Sequence, residues 1–243
     1  MATLDRGDGI SKIAVDAGLT FLDDPYDLAL RLELYGQYVT RSGFGIYGSL
    51  PLTMSFGAPE DNPDVIPNDA TALGNLEAGG LYVLTKSREL SFVFHGGVSF
   101  PTAGDDRDEA ATLRAGIWPR LTDLANTTGL WYLRFGFSPL FYASKFFLRG
   151  DLGFDIALEE AGAHFLRFNI GAGVDLGAVA LSLELVNSLA FIEHEDNEFF
   201  DDLALTVRFM GKTFQPYLAV GTPLDDSRDN VDLFIAGGLQ FVP

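Results

Sequence analysis

His95 is the side chain in this sequence most able to do chemistry. It lies in ELSFVFHGGVSF, Glu89 to Phe100. There Ser91, His95, Gly97 and Ser99 share one parity with Val93, and Leu90, Phe92, Phe94, Val98 and Phe100 share the other with Gly96. A histidine among serines suggests a general base with its nucleophile, the chemistry of acyl transfer. The spacing opposes that reading. Four residues along a strand put Ser91 and Ser99 each ~13 Å from His95 at ~3.3 Å per residue, beyond hydrogen-bond reach. A partner would have to come from a neighbouring strand. The expectation is a histidine that hydrogen-bonds in a watery interior, and the chain is read as no enzyme. His164 and His194 fall at strand rims or loops and suggest nothing stronger.

The larger chemically capable set is a series of charges on strand-like segments: Lys12, Asp16, Arg31, Glu33, Glu77, Arg134, Arg149, Asp151, Asp155, Arg167, Asp175, Glu184, Arg208 and Asp232. Six are cations and eight are anions, close to balance. Each occupies the polar parity of an alternating segment. KIAVDAGLTF sets Ile13, Val15, Ala17, Leu19 and Phe21 against Lys12, Asp16 and Thr20. DLALRLELYGQY sets Leu28, Leu30, Leu32 and Leu34 against Arg31, Glu33, Tyr35 and Gln37. LWYLRFGFSP and FFLRGDLGFDIAL repeat the pattern, with Arg134, Arg149, Asp151 and Asp155 on the polar side. Side chains of a strand alternate between its two faces, so period-2 alternation from end to end predicts one all-β domain over residues 1–243.

Alternation does not say which solvent each face meets. In a soluble sandwich the apolar face is the core and the charges are solvated. Three features point elsewhere. The connections alternate long and short in strict order, as in outer-membrane barrels with short periplasmic turns and long outer loops. Most of the 34 acidic residues fall in the long connections, from Asp23, Asp24 and Asp27 through Glu60, Asp61, Asp64 and Asp69 to the 193–202 run. The short turns instead carry Arg41, Lys86, Arg88, Lys145 and Lys212. Aromatics such as Phe21, Phe44, Tyr82, Phe100, Trp131, Phe214 and Phe241 collect near strand ends, where an interfacial girdle is expected. The prediction is a transmembrane antiparallel up-and-down β-barrel of about twelve strands, each ~9–11 residues per crossing, with fourteen strands as the alternative.

The strand count turns on TLRAGIWPRLTDLA, residues 112–125. It alternates, yet Leu113, Ile117, Leu121 and Leu124 also keep helical spacing, and Pro119 opposes a central strand. We place it in a long outer loop, 102–128, folded into the barrel mouth, with Arg114, Trp118 and Arg120 the candidates to contact the acidic lumen. Inward glycines, among them Gly18, Gly97 and Gly136, are expected to widen that lumen locally.

Composition excludes several classes. There is no cysteine, so disulfide scaffolds and thiolate metal sites are ruled out. The net charge of −18, with no basic cluster, opposes nucleic-acid binding. The acidic runs lack calcium-loop spacing, and GAGVDLGA lacks the frame of a nucleotide loop, so neither metal nor cofactor is predicted. No secretory leader is legible in MATLDRGDGI, and the expectation is a mature form whose signal peptide has been removed.

Residues 74–106, GNLEAGGLYVLTKSRELSFVFHGGVSFPTAGDD, carry a resemblance. Gly74, Asn75, Leu76, Tyr82, Pro101, Thr102, Gly104 and Asp105 resemble a bacterial outer-membrane family labelled "meta-pathway of phenol degradation". Family members usually have Asp where Asn75 stands and PTGD in place of PTAGDD. The resemblance implies an outer-membrane barrel that takes up small, often aromatic or hydrophobic compounds. The combined expectation is passive transport of small solutes across a bacterial outer membrane, with lipid and lipopolysaccharide as surroundings. The alternative is a non-transporting structural or interaction barrel that uses its acidic loops. The oligomeric state is not legible.

Overall fold

The computed structural model describes residues 8–22, 28–57, 70–104, 106–160, 162–192 and 197–243. The acidic connections at 23–27, 58–69 and 193–196, with His194, and the single residue Asp105 lie outside the described residues. The strands are β1 (Lys12–Leu22), β2 (Leu28–Val39), β3 (Phe44–Phe56), β4 (Thr71–Leu73), β5 (Leu76–Thr85) and β6 (Leu90–Phe100). A helix, α1 (Arg107–Ala115), and a 3₁₀ segment (Trp118–Thr127) follow. Then come β7 (Tyr132–Ala143), β8 (Phe146–Ala157), β9 (His164–Asp175), β10 (Val179–Phe191), β11 (Glu198–Phe209), β12 (Phe214–Pro223) and β13 (Val231–Phe241).

Sequential strands pair antiparallel, and β1 pairs with both β2 and β13, so the sheet closes on itself as a ring of twelve. β4 pairs only with β3, beyond the end of β5, and adds no member to the ring. The fourteen-strand alternative does not occur. Closure satisfies every strand edge, which an apolar surrounding demands because it offers the backbone no water.

The burial pattern is inverted relative to a water-soluble domain. Ile46 is 66% exposed, Leu218 58% and Leu183 51%, whereas Arg31 and Arg134 are each 2% exposed. The charged parity faces in and the apolar parity faces out round the ring, except at Asp232 on β13. Exposing such a belt to water is unfavourable by about 25 cal/mol per Å². A hydrocarbon surrounding removes that penalty, so the barrel is a transmembrane one. Aromatic pairs ring both ends: Phe44 with Tyr82 (4.8 Å between centroids) and Phe214 with Phe241 (5.5 Å) at the end of the short turns, Phe100 with Trp131 (5.3 Å) at the other.

The short turns are tight hairpins. Gly43 has φ +88, with the Val83 carbonyl against the position a Cβ would take, so only glycine fits there. The N- and C-terminal strands start and finish at this same end, with Ile13 opposite Phe241.

Residues 112–125 do not form a strand. α1 ends at Ala115, and the 3₁₀ segment that follows is kinked at Arg120 and Asp123. Every residue from Trp118 to Thr127 is buried. The segment packs against β1, β9, β10, β11 and β13, which places it inside the ring as a plug. Its apolar residues explain why: Trp118, Leu121, Leu124 and Ala125 join Phe165, Val186 and Phe234 of the wall in one cluster.

Candidate functional site

The lumen is the site, and the plug divides it. Two plug charges make the division. Arg120 Nη2 donates to Asp16 Oδ2 on β1 at 2.7 Å and lies 3.9 Å, through Nε, from Glu33 Oε2 on β2. Asp123 receives Arg31 Nη2 from β2 at 3.0 Å and lies 3.5 Å from Arg134 Nη1 of β7. β2 and β7 lie four strands apart in the ring of twelve, so Asp123 ties together two separate parts of the wall.

Arg134 is the hub of the far wall. Its Nε donates to Asp155 Oδ1 at 3.1 Å, its Nη2 to the Thr122 carbonyl at 2.7 Å, and its Nη1 pairs with Glu77. Arg167 shares the same Asp155 oxygen at 3.0 Å and approaches Asp151 at 3.7 Å. Asn126 Nδ2 donates to Glu77 Oε2 at 3.2 Å while its Oδ1 accepts from Ser99 Oγ at 2.7 Å. Cations and anions therefore alternate in contact instead of segregating to opposite walls. A buried charge is tolerable only when paired and hydrogen-bonded, and these are.

The plug's stem is held by residues that sequence analysis singled out for another reason. Asn75 Nδ2 donates to the Leu130 carbonyl at 2.9 Å and its Oδ1 accepts from Ala103 N at 3.0 Å. Thr102 Oγ1 donates to the Gly74 carbonyl at 3.0 Å and accepts from Leu76 N at 2.7 Å. The G-N-L and P-T stretches are thus joined in space, clamping both ends of the inserted segment to β5.

His95 does find partners on neighbouring strands. Its Nε2 lies 3.7 Å from Asp151 Oδ1 on β8, and Ser138 Oγ on β7 donates to that same oxygen at 2.8 Å. Asn169 Nδ2 donates to the other oxygen at 3.1 Å. In a nucleophilic triad the serine bonds the imidazole and the acid takes the opposite ring nitrogen. Here serine and histidine converge on one carboxylate oxygen, so His95 does not activate Ser138. The arrangement holds a carboxylate in place.

Of the remaining charges, Lys12, Arg149, Asp175 and Arg208 surround an open cavity of about 130 Å³ at the turn end. Glu184 lies on the β10 wall, accepting from Thr206 at 3.3 Å and Ser182 at 3.4 Å. Asp232 is a correction: it is exposed, and Val231 is buried in its stead. The register of β1 against β13 shifts between Phe21 and Leu22, and this bulge turns Asp232 outward. Arg114 is a second correction. It lies in the last turn of α1 and is exposed, while Trp118 and Arg120 are buried. The inward glycines are a third, since they make room for side chains and not for water. Pro119 of the plug occupies the space over Gly18, His95 that over Gly136, and Tyr47 that over Gly97.

No family model matches the chain, and no characterised protein sequence is similar to it. Solved structures are similar in fold. The COG4313 outer membrane channel from Pseudomonas putida F1 superposes with a TM-score of 0.63 at 12% identity, over 96% of this chain and 94% of that one. KdgM porin superposes with a TM-score of 0.56 at 13% identity, over 94% and 98%. LpxR from Salmonella typhimurium superposes with a TM-score of 0.57 at 8% identity, over 96% and 100%. The fold is that of outer-membrane barrels. At these identities it carries no function by itself, and the lumen's own geometry has to supply that.

Sequence reading missed Asp123, Asn126, Asn169, Ser138 and Asp202. A signal existed for the first: Arg120 and Asp123 sit in an otherwise apolar-spaced stretch, WPRLTDLAN. Asp202 was assigned to an acidic loop. It is 0% exposed on β11, and neither carboxylate oxygen has a hydrogen-bond partner among the described residues.

Proposed function

We propose that this protein is a bacterial outer-membrane channel for passive passage of small solutes, held closed by its 102–128 segment. The carrying observation is the pair of plug charges, Arg120 and Asp123, ion-paired to three strands of the wall. A plug needed only to fill the barrel would use apolar contacts alone, as Trp118 and Leu121 do. Ion pairs instead bind strongly in one geometry and have nowhere to go in another, which suits an element with two positions. The lining residues in this reading are Lys12, Arg149, Asp175 and Arg208 at the turn end, then Asp16, Arg31, Glu33, His95, Asp151 and Arg167 toward the middle. The short turns face the periplasm and the long connections the exterior, as in other such barrels.

The similarity to a channel and a porin of the same fold supports the class. Small hydrophobic or aromatic solutes remain part of the proposal, carried by the resemblance in residues 74–106. The surroundings would be lipid and lipopolysaccharide. The convergence of Ser138 and His95 on one oxygen supports a non-enzymatic role.

The direct experiment is conductance of the refolded protein in planar bilayers. The wild-type chain is expected to show rare, small openings, and the double variant Arg120→Ala/Asp123→Ala frequent larger ones. The continuous ion-pair network favours a second reading, a permanently closed structural barrel. That reading predicts no conductance from either protein.

A further inference from the structure

Below the plug, at the turn end, the lumen is not evenly filled. One side is packed solid by Ala14, Tyr35, Tyr47, Leu81, Val93 and Leu140. The cavity occupies the other side, lined by eight consecutive strands of the ring from β7 through β13 to β1. Its interior volume is about 130 Å³, and it opens to solvent.

Its lining is divided in chemistry. Tyr142 and Phe147 lie side by side, with ring centroids 6.1 Å apart, and form an aromatic wall. Lys12, Arg149 and Arg208 come from β1, β8 and β11 to the same space, Arg149 from the strand that carries Phe147. Two carboxylates also line it, and both have local work. Asp8 accepts from Lys12 Nζ at 2.6 Å and from Ile10 N at 3.1 Å, and Asp175 Oδ1 caps its own turn through Gly177 N at 2.7 Å. Arg208 is oriented by Gln240, to which it donates, and by the Tyr217 ring 5.2 Å away. With Lys12 paired to Asp8, the two guanidinium groups of Arg149 and Arg208 beside an apolar wall match a ligand with a flat apolar body and one anionic head, because a guanidinium takes a carboxylate by two parallel hydrogen bonds. A neutral analogue of equal shape would leave the arginines without that gain.

We propose that this turn-end cavity is a binding site for small aromatic carboxylates. The proposal deepens the channel reading, since such a site is where a solute would wait on the periplasmic side of the plug. It does not depend on conduction for its test.

The test is equilibrium binding of radiolabelled 2-naphthoate to the full chain in lipid nanodiscs, with empty nanodiscs subtracted. Saturable binding at one site per chain is expected. It should fall by roughly tenfold or more in Arg149→Gln/Arg208→Gln, since each hydrogen bond to a charged group is worth about 1.5–3 kcal/mol. Neutral 2-naphthamide should bind at least ~10-fold more weakly than 2-naphthoate for the same reason. Ser182→Phe, which fills the cavity without touching the cations, should also abolish binding. The heat-dependent electrophoretic shift of folded barrels checks that each variant is native. Equal binding of 2-naphthamide, or binding unchanged in both variants, overturns the site. Saturable binding with no conductance would sink the channel reading and leave the site standing. Conductance without binding would do the reverse.

Discussion

Arg120 of the inserted segment and Asp16 of β1 meet at 2.7 Å with both side chains almost wholly buried, 104 residues apart in sequence. This pair fastens the plug to the wall where the ring closes, because β1 is the strand that β13 joins. Tyr217 of β12 donates to the other Asp16 oxygen at 2.7 Å, so three separate parts of the chain share one carboxylate.

Removing one member of a buried pair leaves the other charge uncompensated, at a typical cost of 3–5 kcal/mol. Arg120→Ala should therefore lower folding stability by an amount of that order, read from urea unfolding in detergent or liposomes. Arg120→Met, which fills the space without the charge, should leave the same Asp16 deficit. Arg120→Met with Asp16→Asn should recover most of the loss. A double variant no better than the single would show that the pair is not the fastening.

Asn75 anchors the stem with a donor as well as an acceptor. Asn75→Ala leaves the Leu130 carbonyl and the Ala103 N–H without their partner. The expected loss is about 1–3 kcal/mol, confined to the stem. Limited proteolysis should then cut within residues 102–128 well before the strands, whereas wild type resists. Equal protection in the two proteins would remove Asn75 from this role.

Asp202 predicts the opposite sign. Its oxygens lack hydrogen-bond partners among the described residues, so the buried carboxyl contributes a desolvation penalty without a pair. Asp202→Asn should be neutral or stabilising, in contrast to Asp155→Asn, which removes the negative charge that Arg134 and Arg167 share. Parallel unfolding curves of the two variants decide it, and equal destabilisation would show Asp202 to be paired.

The membrane orientation of the two parities is testable by a single substitution on β11. Leu205 is 50% exposed on the outside, and Thr206 beside it is 1% exposed on the inside. Leu205→Lys should cost ~2–4 kcal/mol if it lies near the bilayer midplane. The measurement is refolding into liposomes. A cost near zero would place that face in water.

The fold was legible because its cause is local. A strand alternates its side chains whatever else it meets, so Lys12, Arg31, Arg134 and Glu184 could be assigned to one face and Ile13, Leu183 and Leu205 to the other from spacing alone. Even count, short turns and the inverted surface followed from the same pattern.

The sequence by itself thus determined about twelve crossings, with fourteen still open, an apolar exterior and a charged interior. Tertiary structure alone decided which charges meet, because each contact depends on ring closure and on where residues 118–127 come to rest. Arg134 reaches Glu77 two strands away and Asp123 of the plug, neither of which periodicity can pair with it. Asp232 left the interior through a single bulge, and Arg114 left it because it lies on the exposed side of α1, beside the buried Thr112 and Leu113. Above all, the stretch at 112–125 was ambiguous, with apolar residues that fit either spacing and three charges, Arg114, Arg120 and Asp123. Whether it forms a strand, an outer loop or a plug depends on the cavity available to it, and only the closed ring creates that cavity.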